Sequence, residues 1–595
     1  MSALRRPWLV AVLLFALAVL LNLPYLAGGF QGDDLLFIGM LREDPLRFSR
    51  WMGMWSVDDI EMFRSLWWYD ADFAASFWRP LPSLVIEGSI RLFGENAFPL
   101  HLLSLLVHGG VGVVLFLLVR RVTGNHLLAA LSGLLFVTCE DHSLGIGWIA
   151  TVTDLMCVLG ILGALWAHVV WLQERKAWAL AVSLVALALA FVCKESAATA
   201  PLALALLTFL VPQGREEGEP SVWRDFGTRV RGFLRDPLSW APAMVLLVVY
   251  LGAYKGLGLG QMNNLMYNDP FGQPLAYMGW GLLYLPVLWL ATLTPIPPSM
   301  VMFMPASLLP LAILGGLAFG CAVVVWWPFR HRPIAVWAFA TWTLALLPQV
   351  GTDPSERAMY FPFVAASILL ALLLAGVLPA AWQKTSEALP RVSRLGGWYV
   401  ALGIAVPGLL LSATMPFEYR TSLELPEKQA LTALPHIRAH RPDHVVALNT
   451  SGMFATFYVG GALGMREGNP VDIRLLSSCN GVLSVERVDE DSFVVRTDRT
   501  GWLSNLFSRA VRTVPHLQVG RTYERDLFTA VLLETTPDGS DVLAVQFDMA
   551  IPLDDPRVLF LYWNGEAFEP IDLLGLPVGE RIPLWDSSNV WASMM

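Results

Sequence analysis

Charge is scarce in this chain. Asp, Glu, Lys and Arg make up 15% of its 595 residues, and hydrophobic residues make up 55%. A soluble globular chain carries about 25% charge, so a single water-soluble body is excluded. Basic residues are the scarcer sign: 40 Lys and Arg against 49 Asp and Glu leave a net charge of −9. No basic stripe with interleaved aromatic residues occurs, which excludes a nucleic-acid surface. Cysteine is sparse as well, at 5. Cys139, Cys157, Cys193 and Cys321 fall in or beside apolar segments, and Cys479 stands alone beyond them. That pattern gives neither a disulfide framework nor zinc-ligand spacing. The chain also lacks the period of about 34 residues that would mark a helical repeat array after residue 414.

What is present is a succession of apolar stretches that stops near residue 414. Expected crossings lie at about 8–27, 97–119, 126–140, 148–172, 177–193, 197–211, 238–256, 307–328, 333–350, 359–380 and 397–414, several reaching the ~20 residues a bilayer requires. The fold class expected is therefore a polytopic all-α membrane domain of about eleven spans over residues 1–415. A soluble, mostly-β domain follows over residues 416–595. The run from Trp8 to Leu26 exceeds the ~7–15 apolar residues of a secretory signal, and we read it as an uncleaved first span. Arg5 and Arg6, Arg120 and Arg121, Arg175 and Lys176, the stretch from Arg215 to Arg235, Arg330 and Arg332, and Lys384, Arg391 and Arg394 should be cytoplasmic. That parity holds only if the apolar stretch from Pro274 to Leu293 does not cross but lies in-plane or re-entrant, which protein or water covering its backbone would permit. The N-terminus is then inside and the soluble domain outside.

Short β-branched and aromatic runs in that soluble domain read as strands: Val445–Leu448, Thr456–Val459, Asp472–Leu475, Val482–Val488, Ser492–Arg496, Phe528–Glu534, Val542–Phe547 and Val558–Tyr562. A sandwich or small barrel is the expected arrangement. No nucleophile–base set stands out in it, so it would bind or position an acceptor, or brace the outer face.

With this orientation the outer side gathers the polar residues. The first external loop, residues 28–96, is rich in Trp51, Met52, Met54, Trp55, Trp67, Trp68 and Trp78, a pattern suited to interfacial helices. Asp33 and Asp34 emerge at the start of that loop. Adjacent carboxylates there act as a general base, hold a cation, or are simply solvated. Lys194, Arg357 and Arg79 stand at external helix ends, where fixed cations would stabilise a growing phosphate charge. The alternative for each is structural: interfacial charge pairs for Lys194–Glu195 and Glu356–Arg357, and a helix start for Arg79 before Pro80. His101 and His108 share one helix face and read as buried, hydrogen-bonded residues rather than metal ligands. Asp154 lies inside a span, where an ionisable side chain either serves function or bonds a neighbouring helix.

Four strings in order resemble the polyprenol-dependent membrane glycosyltransferases of the GT-C superfamily, in particular bacterial relatives of the transmembrane and tetratricopeptide-repeat O-mannosyltransferases. They are Gly32-Asp33-Asp34; Trp78-Arg79-Pro80-Leu81 running on to Leu106-Val107-His108; Cys193-Lys194-Glu195-Ser196; and Glu356-Arg357-Ala358-Met359-Tyr360-Phe361-Pro362. A fifth match is Trp148-Ile149 followed by Asp154-Leu155. The region around it departs from the usual pattern: it keeps His142 but carries Cys139, Leu144 and Val152 at the other positions.

The resemblance implies an inverting transfer of a sugar from a polyprenyl-phosphate donor to an acceptor hydroxyl of a glycan, lipid or protein, at the outer face of a bacterial inner membrane. It implies Asp33 or Asp34 as base, with Asp34 slightly preferred. Arg79, His108, His142, Asp154, Lys194, Glu195, Glu356, Arg357 and Tyr360 would form the donor site. No cofactor is required, and a divalent cation is compatible with the paired Asp residues. A lipid or glycan flippase, or a scaffold that has kept the fold, are the rivals. A transporter would carry internal repeats and midplane charges, whereas here the polar set clusters on one side.

Overall fold

The computed structural model describes residues 6–43, 66–70, 72, 74–75, 77–211, 222–223, 225–260, 262–263, 265–378, 390–423, 425–467, 471–478, 482–498 and 501–586. Trp51, Met52, Met54 and Trp55 of the first loop, Arg215, Lys384 and Cys479 lie outside the described residues.

Among the described residues, eight helices are long and apolar enough to cross a bilayer, and four shorter apolar helices accompany them. The protein is a multi-pass membrane protein. The long helices are Pro7–Ala27, Phe98–Thr123, Ile149–Glu174, Pro274–Leu293, Pro305–Phe329, Pro333–Gly351, Glu356–Ala375 and Arg391–Glu418. The shorter ones are His126–Val137, Ala177–Phe191, Glu195–Leu210 and Ala241–Gly256. Every expected crossing is thus a helix. Local signals set their ends: Asn125 accepts from the backbone N–H groups of Leu127 and Leu128 to open one helix, and Gly124, in the left-handed region, ends the helix before it. Both follow ordinary capping chemistry. Glu356–Ala375 is the central post, with every residue from Tyr360 to Leu374 buried.

The segment Pro274–Leu293 is one continuous helix with Pro286 inside it. It lies so close to the helix Leu308–Trp326 that a side chain at Gly315 would overlap the Pro286 carbonyl. Its two flanks return to the same neighbourhood. Before it, the Asn268 N–H donates to the Gly351 carbonyl at 2.8 Å; after it, the Ser299 hydroxyl donates to Glu356.

The C-terminal part contains two sheets. One is antiparallel and six-stranded, in the order Arg581–Asp586, Val482–Arg487, Ser492–Thr497, Val542–Met549, Phe528–Thr535, Thr522–Glu524. The other runs Phe568–Pro570, Val558–Trp563, His444–Ala447, Ile473–Leu475, and its last three strands are parallel. The expected strand at Thr456–Val459 is instead part of the helix Met453–Glu467. A short β-branched and aromatic run does not separate strand from buried helix. Here two parallel strands need a crossover, and this helix supplies it between His444–Ala447 and Ile473–Leu475. The expected boundary at residues 415 and 416 falls inside the helix Val406–Leu423.

One apolar core unites this part with the start of the first loop. Phe30, Leu35, Phe37 and Ile38 share it with Leu66, Trp67, Trp68, Tyr458 and Phe547. The Trp67 indole donates to the Leu476 carbonyl at 2.8 Å. The Asp70 carboxylate accepts from Arg521 at 2.6 Å and from the Thr513 N–H at 2.8 Å.

Candidate active site

A cavity of about 470 Å³ is lined by the start of the first loop and the ends of the apolar helices, between Asp33 and Ala358, within the range of about 300–1,000 Å³ common for small-ligand sites. Its charged lining comprises Asp33, Arg79, Asp154, Lys194, Glu195, Lys255, Asp269 and Arg357. Tyr250, Tyr254 and Tyr267 line it too.

Asp33 reaches this cavity because of Gly32. Gly32 has φ +54°, and a Cβ there would lie 3.0 Å from the Trp148 ring; both features favour glycine. The helix Asp33–Glu43 starts immediately after, with both carboxylates in its first turn, where the helix dipole favours negative charge. The two then diverge. Asp34 is buried and ties backbone together: its Oδ2 accepts from the Gln31 N–H at 3.0 Å and its Oδ1 from the Ala150 N–H at 2.6 Å. Burial pushes its carboxyl well above the ordinary range. Asp33 faces the cavity instead, and the Tyr458 hydroxyl donates to its Oδ1 at 2.6 Å. Burial raises its pKa, opposed by Arg357, the Tyr458 hydroxyl and Arg79.

Arg357 stands 5.3 Å from the centroid of the same Trp148 ring. Among the described residues it forms an ion pair with no carboxylate. The other three cations are matched, Lys255 by Asp269 at 3.5 Å. Arg79 grips Glu195 in a bidentate pair, Nε to Oε1 at 3.1 Å and Nη2 to Oε2 at 3.0 Å, and lies over the Phe77 ring. Lys194 donates to both oxygens of Asp154 at 2.6 and 2.7 Å. Burial pulls the Lys194 pKa down, with Asp154 acting against it. Lys194 and Glu195 therefore do not pair with each other; each binds a residue from another segment. Arg79 also opens the helix Pro80–Phe93, with Pro80 at its first position.

Seven of the residues the sequence singles out thus relate directly to this cavity: Asp33, Asp34, Arg79, Asp154, Lys194, Glu195 and Arg357, Asp34 from behind its wall. The remaining four lie deeper and do not line it. Glu356 is buried and accepts from Ser299. His108 Nδ1 and the Tyr360 hydroxyl are 2.8 Å apart. The His142 ring packs on Tyr360 and Phe136 at centroid distances of 4.6 and 4.4 Å. Neither His142 nitrogen has a hydrogen-bond partner among the described residues, and burial holds its pKa well below the usual value. His101 Nε2 bonds the Gly29 carbonyl at 3.2 Å, which fixes the approach to Gly32. Among the described residues no three His, Cys, Asp or Glu side chains gather as a metal site.

Sequence reasoning missed Tyr458 and Tyr267. Tyr458 sits 425 residues from Asp33, and no local pattern could join them.

Residues 79–220 match the model of the family described as dolichyl-phosphate-mannose-protein mannosyltransferase. No curated protein matches the chain. Among solved structures, ArnT from Cupriavidus metallidurans bound to undecaprenyl phosphate is 15% identical, over 78% of this chain and 85% of that one, with a TM-score of 0.42. The Archaeoglobus fulgidus oligosaccharyltransferase tethered with an acceptor peptide is 12% identical, over 80% and 64%, with a TM-score of 0.40. AglB from Archaeoglobus fulgidus, in complex with an inhibitory peptide and a dolichol-phosphate, is 13% identical, over 77% and 63%, with a TM-score of 0.40. The chain spans less than two thirds of these archaeal chains. Through residues 79–220 the chain is similar to the dolichyl-phosphate-mannose-protein mannosyltransferases, and so to the polyprenol-dependent glycosyltransferases that its motifs resemble.

Proposed function

We propose that the protein is an inverting glycosyltransferase that moves a sugar from a polyprenyl-phosphate donor to an acceptor hydroxyl. The observation that carries this reading is that one cavity is lined by both an available carboxylate, Asp33, and an available guanidinium, Arg357. The acceptor oxygen attacks the anomeric carbon while the bond from that carbon to the phosphate oxygen breaks. Asp33 takes the proton the acceptor loses, a contribution of about 10²–10⁴-fold. The bond electrons leave with the phosphate, whose added negative charge Arg357 stabilises in place. Attack opposite the leaving group inverts the anomeric centre. The Arg79–Glu195 and Lys194–Asp154 pairs set the shape and polarity of the donor side.

The lining supports a lipid donor. It passes from these charges to Leu247, Tyr250 and Leu251 on the helix Ala241–Gly256, whose Val245 and Val248 are exposed. A charged pocket that grades into an apolar helix suits a phosphate head on an isoprenoid tail. We place the cavity and the C-terminal domain outside the cytoplasm. The return of both flanks of Pro274–Leu293 to the cavity side supports the odd number of crossings this needs. Val519 is exposed; a Val519→Cys variant should react with a membrane-impermeant thiol reagent in intact cells, and labelling only after lysis would reverse the placement.

The reaction is tested with purified protein in liposomes carrying a panel of polyprenyl-phosphate sugars. Sugar transfer to water or a surrogate alcohol, with inverted configuration, is expected. Movement of the donor across the bilayer without transfer would make the protein a flippase instead.

A further inference from the structure

We propose that Tyr458, contributed by the C-terminal domain, is the positioning residue for the Asp33 carboxylate, so that the base is complete only when that domain is docked. The inference rests on the transfer reading above. It extends that reading by giving the C-terminal domain a part in the chemistry.

Three observations carry it. The Tyr458 hydroxyl donates to Asp33 Oδ1 at 2.6 Å, the length of a charge-assisted O–H···O⁻ bond, which is stronger than a neutral one. The tyrosine is buried, with 1% of its surface exposed, where a hydroxyl without a partner would be costly. Its backbone is not free to wander: the helix Met453–Glu467 crosses between two parallel strands, and it shares an apolar core with Leu35, Phe37 and Ile38 of the helix that carries Asp33. Two helices from the two parts of the molecule therefore meet through this apolar core and this hydrogen bond.

Its consequence follows from carboxylate geometry. Oδ1 is held by the tyrosine, and among the described residues Oδ2 carries no hydrogen bond. The carboxylate is thereby turned to offer one chosen oxygen to the acceptor. The bond also favours the ionised form, against the burial that disfavours it. Removing the hydroxyl should raise the Asp33 pKa and loosen the ring of orientations available to Oδ2. A residue that merely packed the interface would do neither.

The test is an infrared titration of the Asp33 carboxyl in the full-length protein, with its band assigned by loss in Asp33→Asn. In Tyr458→Phe the protonation midpoint should rise by about one pH unit, and the acid limb of kcat/KM should move up with it. An unshifted midpoint overturns the proposal, even where turnover falls. If Tyr458→Phe does not fold, 3-fluorotyrosine placed at position 458 replaces it. Its stronger donor should move the midpoint down, and no movement overturns the proposal equally. Failure of the transfer reading looks different: the wild type would show no transfer at any pH, while the midpoint shift would still report the Tyr458–Asp33 bond.

Discussion

The two walls of the cavity hold similar residues and treat them differently. On one wall each cation is neutralised inside the protein, Arg79 by Glu195 and Lys194 by Asp154. On the other, Arg357 rests on the Trp148 ring, and Asp33 receives only a neutral tyrosine hydroxyl. The difference separates what shapes a site from what reacts in it. A matched pair keeps a buried wall polar at low net charge, because its desolvation is offset locally. A charge left unmatched beside a cavity is held ready for a ligand of the opposite sign, or for a proton.

Removing one cation from each wall should break the comparison most sharply. Arg357→Ala should lower turnover by about 10²–10³-fold, as expected for losing one stabiliser of a developing charge, and weaken donor binding, since the phosphate is charged before it leaves. The fold should remain, because no carboxylate is stranded; melting of the detergent-solubilised variant checks this. Lys194→Ala strands Asp154 on its helix. Loss of one partner from a buried pair costs about 3–5 kcal/mol, so this variant should melt earlier. The combined change Lys194→Met with Asp154→Leu should regain most of that stability. Equal stability of the single and double variants would show that the pair is no structural clamp.

The next effect is a pH dependence. Asp33 must be ionised to accept a proton, and burial lifts its pKa above the ordinary 3.8. The rate of transfer should therefore fall as pH is lowered through a midpoint above that value, about tenfold per unit below it. A flat acid profile would detach the reaction from this carboxylate.

Least sensitive should be the cluster beneath the cavity. His142 has no hydrogen-bond partner among the described residues and packs against Tyr360 and Phe136. We expect His142→Phe to keep turnover within about threefold and to cost little stability, since it removes polar atoms that are already unsatisfied. A large loss of turnover would return this histidine to the site.

The sequence made some of this visible and could not make the rest so. The helices were legible because crossing a bilayer demands long apolar runs, and basic loops mark their ends. Cavity residues such as Lys194 and Arg357 were legible as charges at helix ends, out of place in a greasy chain. Their partners were not: the pairing of Arg79 with Glu195 spans 116 positions and that of Lys194 with Asp154 spans 40, and only packing selects them. Asp33 and Asp34 could not be ranked from sequence, where Asp34 was slightly favoured. One helical turn sends the first side chain into the cavity and the second into backbone hydrogen bonds. Tyr458 was hidden further by the misread strand at Thr456–Val459, whose composition fits a strand although a parallel crossover makes it a helix.

The account's central claim is that Asp33, and not its neighbour, takes the acceptor's proton. The direct measurement compares Asp33→Asn with wild type in two assays on the same preparation: binding of the polyprenyl-phosphate donor, and transfer of its sugar. Transfer at least about 10²-fold slower, the loss expected when a general base is removed, with donor binding nearly unchanged, is the result the account requires. Near-normal transfer by Asp33→Asn would contradict it.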